Sequence, residues 1–167
     1  SDSRSLLVTF KTASQELHFR RVAEYFLPHN KPTNMSWQSY VDDHLMVELP
    51  GGGMLSGAAI FGQDGNPWAL SAGFPTPDPS YIQALVNTFD DPSGLSGVGG
   101  LKFGDTKYIM IGGEDGAVIR GKFGQGGITI KKTVSAMVIG IYPNGVQPGD
   151  CNVIVENMGD YLAGQGI

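Results

Sequence analysis

The chain holds one cysteine, three histidines and no apolar run long enough to cross a bilayer. Each shortage excludes something. Cys151 has no second thiol to pair with, so an internal disulfide is impossible and a reducing interior suits the chain. The histidines, His18, His29 and His44, are scattered, and no spacing typical of metal ligands occurs. Cys151 sits in an apolar helical stripe with no nearby histidine and reads as a packed thiol rather than a nucleophile. Asp42 and Asp43 are adjacent and diverge on a helix, so they do not form the facing carboxylate pair of acid–base chemistry. These shortages leave no support for an enzyme, a cofactor or a metal. The N-terminus lacks a basic region followed by an apolar stretch and a small-residue cleavage site, so a cytoplasmic location is the expectation. The net charge of −5 argues against general nucleic-acid binding.

What is present suits one domain with a real core. The charge is uneven. Residues 1–34 carry five Lys/Arg against three acids, a formal +2, which leaves −7 for the rest of a chain that totals −5. In residues 1–34, Ala13 to Leu27 has helical spacing, Pro28 ends it, and His29 to Asn34 reads as a linker. A regulatory extension, an alternative start upstream of Met35 and a leftover of expression all fit this segment.

From Ser36 onward the pattern is α+β. Ser36 caps a helix expected to reach about Val47, and Pro50-Gly51-Gly52-Gly53 breaks it. Ser56–Phe61 and Trp68–Ala72 read as strands joined by Gln63-Asp64-Gly65-Asn66. Asp78 or Ser80 caps a helix with the stripe Ile82, Leu85, Val86 and Phe89. The stretch Asp91–Gly100 reads as a glycine-rich loop. Strands are expected at Tyr108–Ile111, Ala117–Lys122, Gly127–Lys132 and Ala136–Tyr142, with turns at Glu114-Asp115-Gly116 and Gly124-Gln125-Gly126. A last helix over about Cys151–Ala163 points Ile154, Val155, Met158 and Leu162 inward. The expectation is an antiparallel sheet flanked by helices, with both terminal helices on one face.

Four aromatics stand out: Trp37, Tyr40, Trp68 and Tyr161. Trp37 and Tyr40 are three apart and share a helix face. Rings at helical spacing serve as core more often than as ligand shelves. If the two terminal helices lie side by side over the strand bearing Trp68, the rings form a groove instead. Such grooves take proline-rich peptides, whose polyproline II form loses little entropy on binding.

The surrounding residues bear on that choice. Met35-Ser36-Trp37-Gln38-Ser39-Tyr40-Val41-Asp42-Asp43-His44-Leu45 resembles the opening of plant profilins. The resemblance continues in Gly62-Gln63-Asp64-Gly65 with Trp68-Ala69, and in Gly104-Asp105-Thr106-Lys107-Tyr108. It is densest from Gly116 to Thr133 and closes with Gly159-Asp160-Tyr161-Leu162 and Gln165-Gly166. It implies a profilin domain over 35–167, preceded by an extension over 1–34. The implied function is binding of monomeric actin, regulation of actin polymerisation, and binding of proline-rich partners such as formins and of phosphoinositides. A phosphoinositide module, or a proline-peptide adaptor without actin binding, is the alternative.

The resemblance assigns residues as well. Trp37, Tyr40, Trp68 and Tyr161 match the poly-L-proline surface. Arg120, Lys122, Lys131 and Lys132 match the phosphoinositide region. Lys107, Arg120, Lys122, Asn152 and Glu156 fall in the actin-contacting segments. Arg120 and Lys122 stand in both sets, so competition between lipid and actin is expected. Phe123 stands where plant profilins commonly carry a lysine, which implies weaker lipid binding. Gln147 replaces the family's reported phosphorylatable threonine, and Leu45-Met46-Val47 lacks the further cysteine that many plant profilins carry, so neither that regulation nor a disulfide is transferred. Plant profilins are also frequent allergens. The glycine-rich turn Gly121–Gly127 lacks a Gly-Lys-Ser/Thr ending and leads into no helix, so it is not read as a nucleotide loop. Residues 1–34, ending next to Trp37, are expected to lie near the groove.

Overall fold

The computed structural model describes residues 36–167. The expectations for residues 1–34, their helix and their place near the groove, lie outside the described residues. Along the chain run α1 (Trp37–His44), β1 (Gly57–Gly62), β2 (Pro67–Leu70), α2 (Pro79–Thr88), a 3-10 helix (Pro92–Val98), β3 (Leu101–Phe103), β4 (Thr106–Glu114), β5 (Val118–Phe123), β6 (Gly126–Lys132), β7 (Ala136–Tyr142) and α3 (Pro148–Gly164). The seven strands form one sheet in the order β2-β1-β7-β6-β5-β4-β3. Every neighbouring pair is antiparallel.

Both faces of this sheet are covered, which is why β1 and β7 are almost continuously apolar rather than alternating. On one face, Ala59, Phe61, Tyr108, Ile119, Ile128, Ile130, Met137 and Ile139 pack with Ile82 and Leu85 of α2, with Phe89 at its C-cap and with Leu95. The opposite face receives α3, whose Cys151, Val155, Met158 and Leu162 are buried. Helix α1 lies on the same side, against β1 and β2, so the two terminal helices share a face as expected.

The elements differ from the expected ones at several ends. Helix α1 stops at His44 rather than Val47. The amides of Leu45 and Met46 both donate to the Val41 carbonyl, which loosens the last turn and drops Leu45 into the core. Ser36 holds the N-cap position but its hydroxyl makes no capping bond. The segment expected as loop over Asp91–Gly100 contains the 3-10 helix. Asp91 caps it by accepting from the Ser93 amide at 3.1 Å and from the Ser93 hydroxyl at 2.6 Å, and Pro92 starts it. Strand β3 has only three residues, too few to show a period. Helix α3 begins at Pro148, three residues before the expected Cys151, because proline suits the first helical position. Ile154 is half-buried, not inward; Gly159 takes its place in the buried stripe.

Glycines set how close α3 comes to the sheet. A Cβ on Gly140 of β7 would run into the Val155 side chain and crowd Leu55 and Cys151. The thiol of Cys151 is buried and donates to the Gly140 carbonyl at 3.6 Å, and burial pushes its pKa up to about 12. Gly140→Ala is expected to destabilise the fold by about 1–3 kcal/mol, because the helix or the strand must move to admit the methyl. A urea midpoint equal to that of the wild type would contradict this packing.

Candidate functional site

The aromatic cluster forms where α1, β2 and the end of α3 meet. The ring of Trp37 lies 4.7 Å from that of Trp68 and 5.2 Å from that of Tyr40, centroid to centroid, both tilted. Tyr40 is 6% exposed and serves as the floor, while Trp37, Trp68 and Tyr161 are half-buried. Burial raises the pKa of Tyr40, and burial together with the adjacent Tyr40 pushes that of Tyr161 up to about 12. Tyr161 thus lies within electrostatic reach of Tyr40, which places the C-terminal helix beside α1. The four residues expected to make one surface are therefore together.

Trp68 reaches this surface through an irregularity. Leu70 packs against the α2-side core, so a regular strand would aim Trp68, two residues earlier, at the same side. Between Ile60 and Phe61 the register shifts: Ile60 faces Ala69, but Phe61 faces Pro67. Trp68 is the extra residue of this β-bulge, and the bulge turns its ring to the α1 face. There the ring lies over Gly62, whose missing side chain leaves room; a Cβ would sit 2.8 Å from Trp68 Nε1. Gln38 fastens α1 above the strand. Its Nε2 donates to the Leu70 carbonyl at 2.7 Å and to Asp42 Oδ1 at 3.0 Å. The sequence reading missed Gly62 and Gln38 as parts of the site, since their partners are set by register rather than by spacing.

The cations matched to phosphoinositide binding do not sit together. Arg120 and Lys131 lie under α3, where Arg120 pairs with Glu156 at 2.9 Å and Lys131 with Asp160 at 3.2 Å. Lys132 is on the opposite face, 4.0 Å from Asp90 and with its ammonium over the Phe89 ring. Lys122 alone of the four is exposed and makes no ion pair among the described residues. Of the residues matched to actin contact, Asn152 accepts a hydrogen bond from the Thr129 hydroxyl at 2.5 Å, and Glu156 holds Arg120. Both therefore serve α3 docking in this chain. Lys107 is exposed on β4, directly opposite Lys102 on β3.

That cross-strand pair belongs to a row. Lys107 and Ile109 share a face of β4, and Ile109 stands opposite Lys122 on β5. Lys102, Lys107 and Lys122 thus line one face of three adjacent strands, with Ile109, 73% exposed, among them. A β-bulge at Ile111, also exposed, bends β4 beside this row. Among the described residues no group of three or more His, Cys, Asp and Glu is placed to hold a metal ion, and no helix is long and apolar enough to cross a membrane.

Two outcomes follow from this geometry. Gly62→Ala is expected to displace the Trp68 ring, read as a shift in tryptophan fluorescence and a stability loss of about 1–3 kcal/mol. An unshifted emission spectrum would mean the ring does not rest on Gly62. His44, on the last turn of α1 and 6.4 Å from the Tyr40 ring, has its pKa lowered by burial, against the opposing pull of Asp43. The unfolded chain then takes up the His44 proton before the folded one does, so stability is lost as pH falls below about 6.5. His44→Gln should flatten this part of a plot of urea midpoint against pH, and an unaltered slope would rule out the assignment.

Known proteins share this architecture. The profilin family model matches residues 35–167. Profilin IB of Acanthamoeba castellanii is 38% identical, covering 79% of this chain and 100% of its own, with a TM-score of 0.68. The profilin of Schizosaccharomyces pombe is 37% identical over 79% of this chain and 100% of its own, with a TM-score of 0.65. Mouse profilin IIa, solved in complex with a double repeat from the FH1 domain of mDia1, is 25% identical over 80% of this chain and 100% of its own, with a TM-score of 0.62. With its sheet order, its paired terminal helices and a family match over most of its length, the chain belongs to the profilin family.

Proposed function

We propose that this protein binds monomeric actin on its β3–β5 side and proline-rich segments, such as those of formins, in the aromatic groove, and so regulates actin polymerisation without catalysis. One observation carries the reading: Trp37, Tyr40, Trp68 and Tyr161 are assembled into one surface in a member of a family of which one relative is known bound to an FH1 repeat. The rings supply flat apolar area, and indole and phenol groups donate to proline carbonyls, which lack a neighbouring N–H.

Charge supports the second surface. All six basic residues of 36–167 lie on β3 to β6, in a domain with thirteen acids. Three of them are neutralised by Glu156, Asp160 and Asp90, so the exposed cationic row is Lys102, Lys107 and Lys122 around Ile109. A solvent-facing apolar residue ringed by exposed cations suits an acidic protein surface. The same row attracts anionic lipid, and phosphoinositide headgroups are the further ligand we assign to it, at roughly 1 kcal/mol per lysine and with strong salt dependence. The motifs from Met35 to Leu45 and from Gly116 to Thr133 support a plant-type profilin, and its place of action is the cytoplasmic actin cytoskeleton.

The test has two arms. Trp37 and Trp68 are the chain's two tryptophans, so poly-L-proline titration is read directly in their fluorescence. Trp37→Ala is expected to cost about 2 kcal/mol, a roughly 30-fold loss of affinity. Absence of a saturable signal in the wild type sinks the groove. In the other arm, Lys107→Glu and Arg120→Glu are expected to abolish inhibition of actin assembly. Lys107→Glu is the cleaner of the two, because Arg120→Glu also sets two carboxylates together at Glu156. If both variants act on actin like the wild type while the groove still binds, the protein is a proline-peptide adaptor. Salt-sensitive vesicle binding without any effect on actin selects the lipid module instead.

A further inference from the structure

Lys131 is a cation that the protein does not present to solvent. It lies on β6 facing α3, and its side chain is 13% exposed. Its ammonium meets Asp160 Oδ1 at 3.2 Å. Its methylene stem passes directly beneath Gly159, so closely that a Cβ on Gly159 would overlap Lys131 Cγ and crowd its Cβ and Cδ. An exposed ion pair adds little stability, and Asp160 is itself mostly exposed, so the stem rather than the charge makes the close contact.

The contact sits next to the groove. Gly159, Asp160 and Tyr161 are consecutive on α3. Two residues advance roughly 200° around a helix, so Tyr161 leaves the helix on the side away from the strand on which Gly159 rests. The depth at which Gly159 seats on Lys131 therefore sets the height of Tyr161 beside Tyr40. Beyond Tyr161 the chain end is held again, because the Val134 amide donates to the Ile167 carbonyl at 3.0 Å. Between these points the Lys131 stem, with its ion pair to Asp160, supports the helix beside the buried Met158 and Leu162.

We propose that Lys131 is a positioning residue of the aromatic groove, a seat for α3 at Gly159 that fixes Tyr161 against α1. The proposal rests on the proline-groove reading for its effect on affinity, but the position of Tyr161 is measurable without ligand. The protein is labelled with 3-fluorotyrosine and the Tyr161 resonance is assigned with Tyr161→Phe. Lys131→Ala, which removes the stem, and Gly159→Ala, which lifts the helix, are expected to move that resonance and to weaken poly-L-proline binding five- to tenfold. Lys131→Met, which keeps the stem and loses the charge, is expected to retain the wild-type resonance and an affinity within twofold. A melting temperature lowered in Lys131→Ala with the Tyr161 resonance and the affinity unchanged would overturn the proposal, since that is the signature of a merely structural lysine. Equal damage from Lys131→Met and Lys131→Ala would also overturn it, in favour of the ion pair. A moved resonance in Lys131→Ala in a protein that never binds poly-L-proline upholds the seat and rejects the groove reading.

Discussion

The closeness of helix α3 to the sheet is the constraint on which the rest depends. Gly140 on the strand and Gly159 on the helix each lack the one atom that would hold the two apart. At that separation the Thr129 hydroxyl reaches Asn152, Arg120 reaches Glu156 and Lys131 reaches Asp160. These polar links do not drive the docking, because ion pairs that remain partly solvated contribute little. They fix the register of a contact made by Cys151, Val155, Met158 and Leu162 against the apolar sheet. Tyr161 inherits its position from that register, and so does the charge pattern on the same face of β3 to β5.

Docking α3 also sorts the cations. The helix brings Glu156 to Arg120 and Asp160 to Lys131, while Lys122 farther along β5 and the lysines of β3 and β4 stay exposed. A domain with an excess of acids thereby shows a short positive row at Lys102, Lys107 and Lys122. The aromatic groove belongs to the other end of the strand order, where β2 and β1 meet α1. In the proposed function the two ligands therefore do not compete for space. A proline-rich partner raises the local concentration of a bound actin monomer by tethering alone, with no conformational signal through the sheet.

Much of this was legible in the chain. The run Ala136–Tyr142 is bounded by Ser135 and Pro143 and appears as a strand with those ends, because continuous apolar residues between breakers have few other uses. The α2 stripe of Ile82, Leu85 and Phe89 packs as its period predicts. The family motifs pointed to the four rings that the structure brings together. The 3-10 helix and β3 were not legible, the first because its glycines read as loop and the second because three residues carry no period. Gly62 and Gln38 were silent too, since one acts by having no side chain and the other by reaching a carbonyl 32 residues away.

The sequence by itself determined the two-sided sheet, the amphipathic helices and the identity of the aromatic and basic residues, because periodicity and composition are local properties. Which way those residues face was decided by the tertiary structure. One extra residue in β2 turns Trp68 from the core side to the groove, although the strand's own alternation points it elsewhere. Three of the four cations matched to lipid are consumed by acids that lie far along the chain or across a face. Register and docking distance are pairwise quantities between distant segments, and no stretch of either segment encodes them alone.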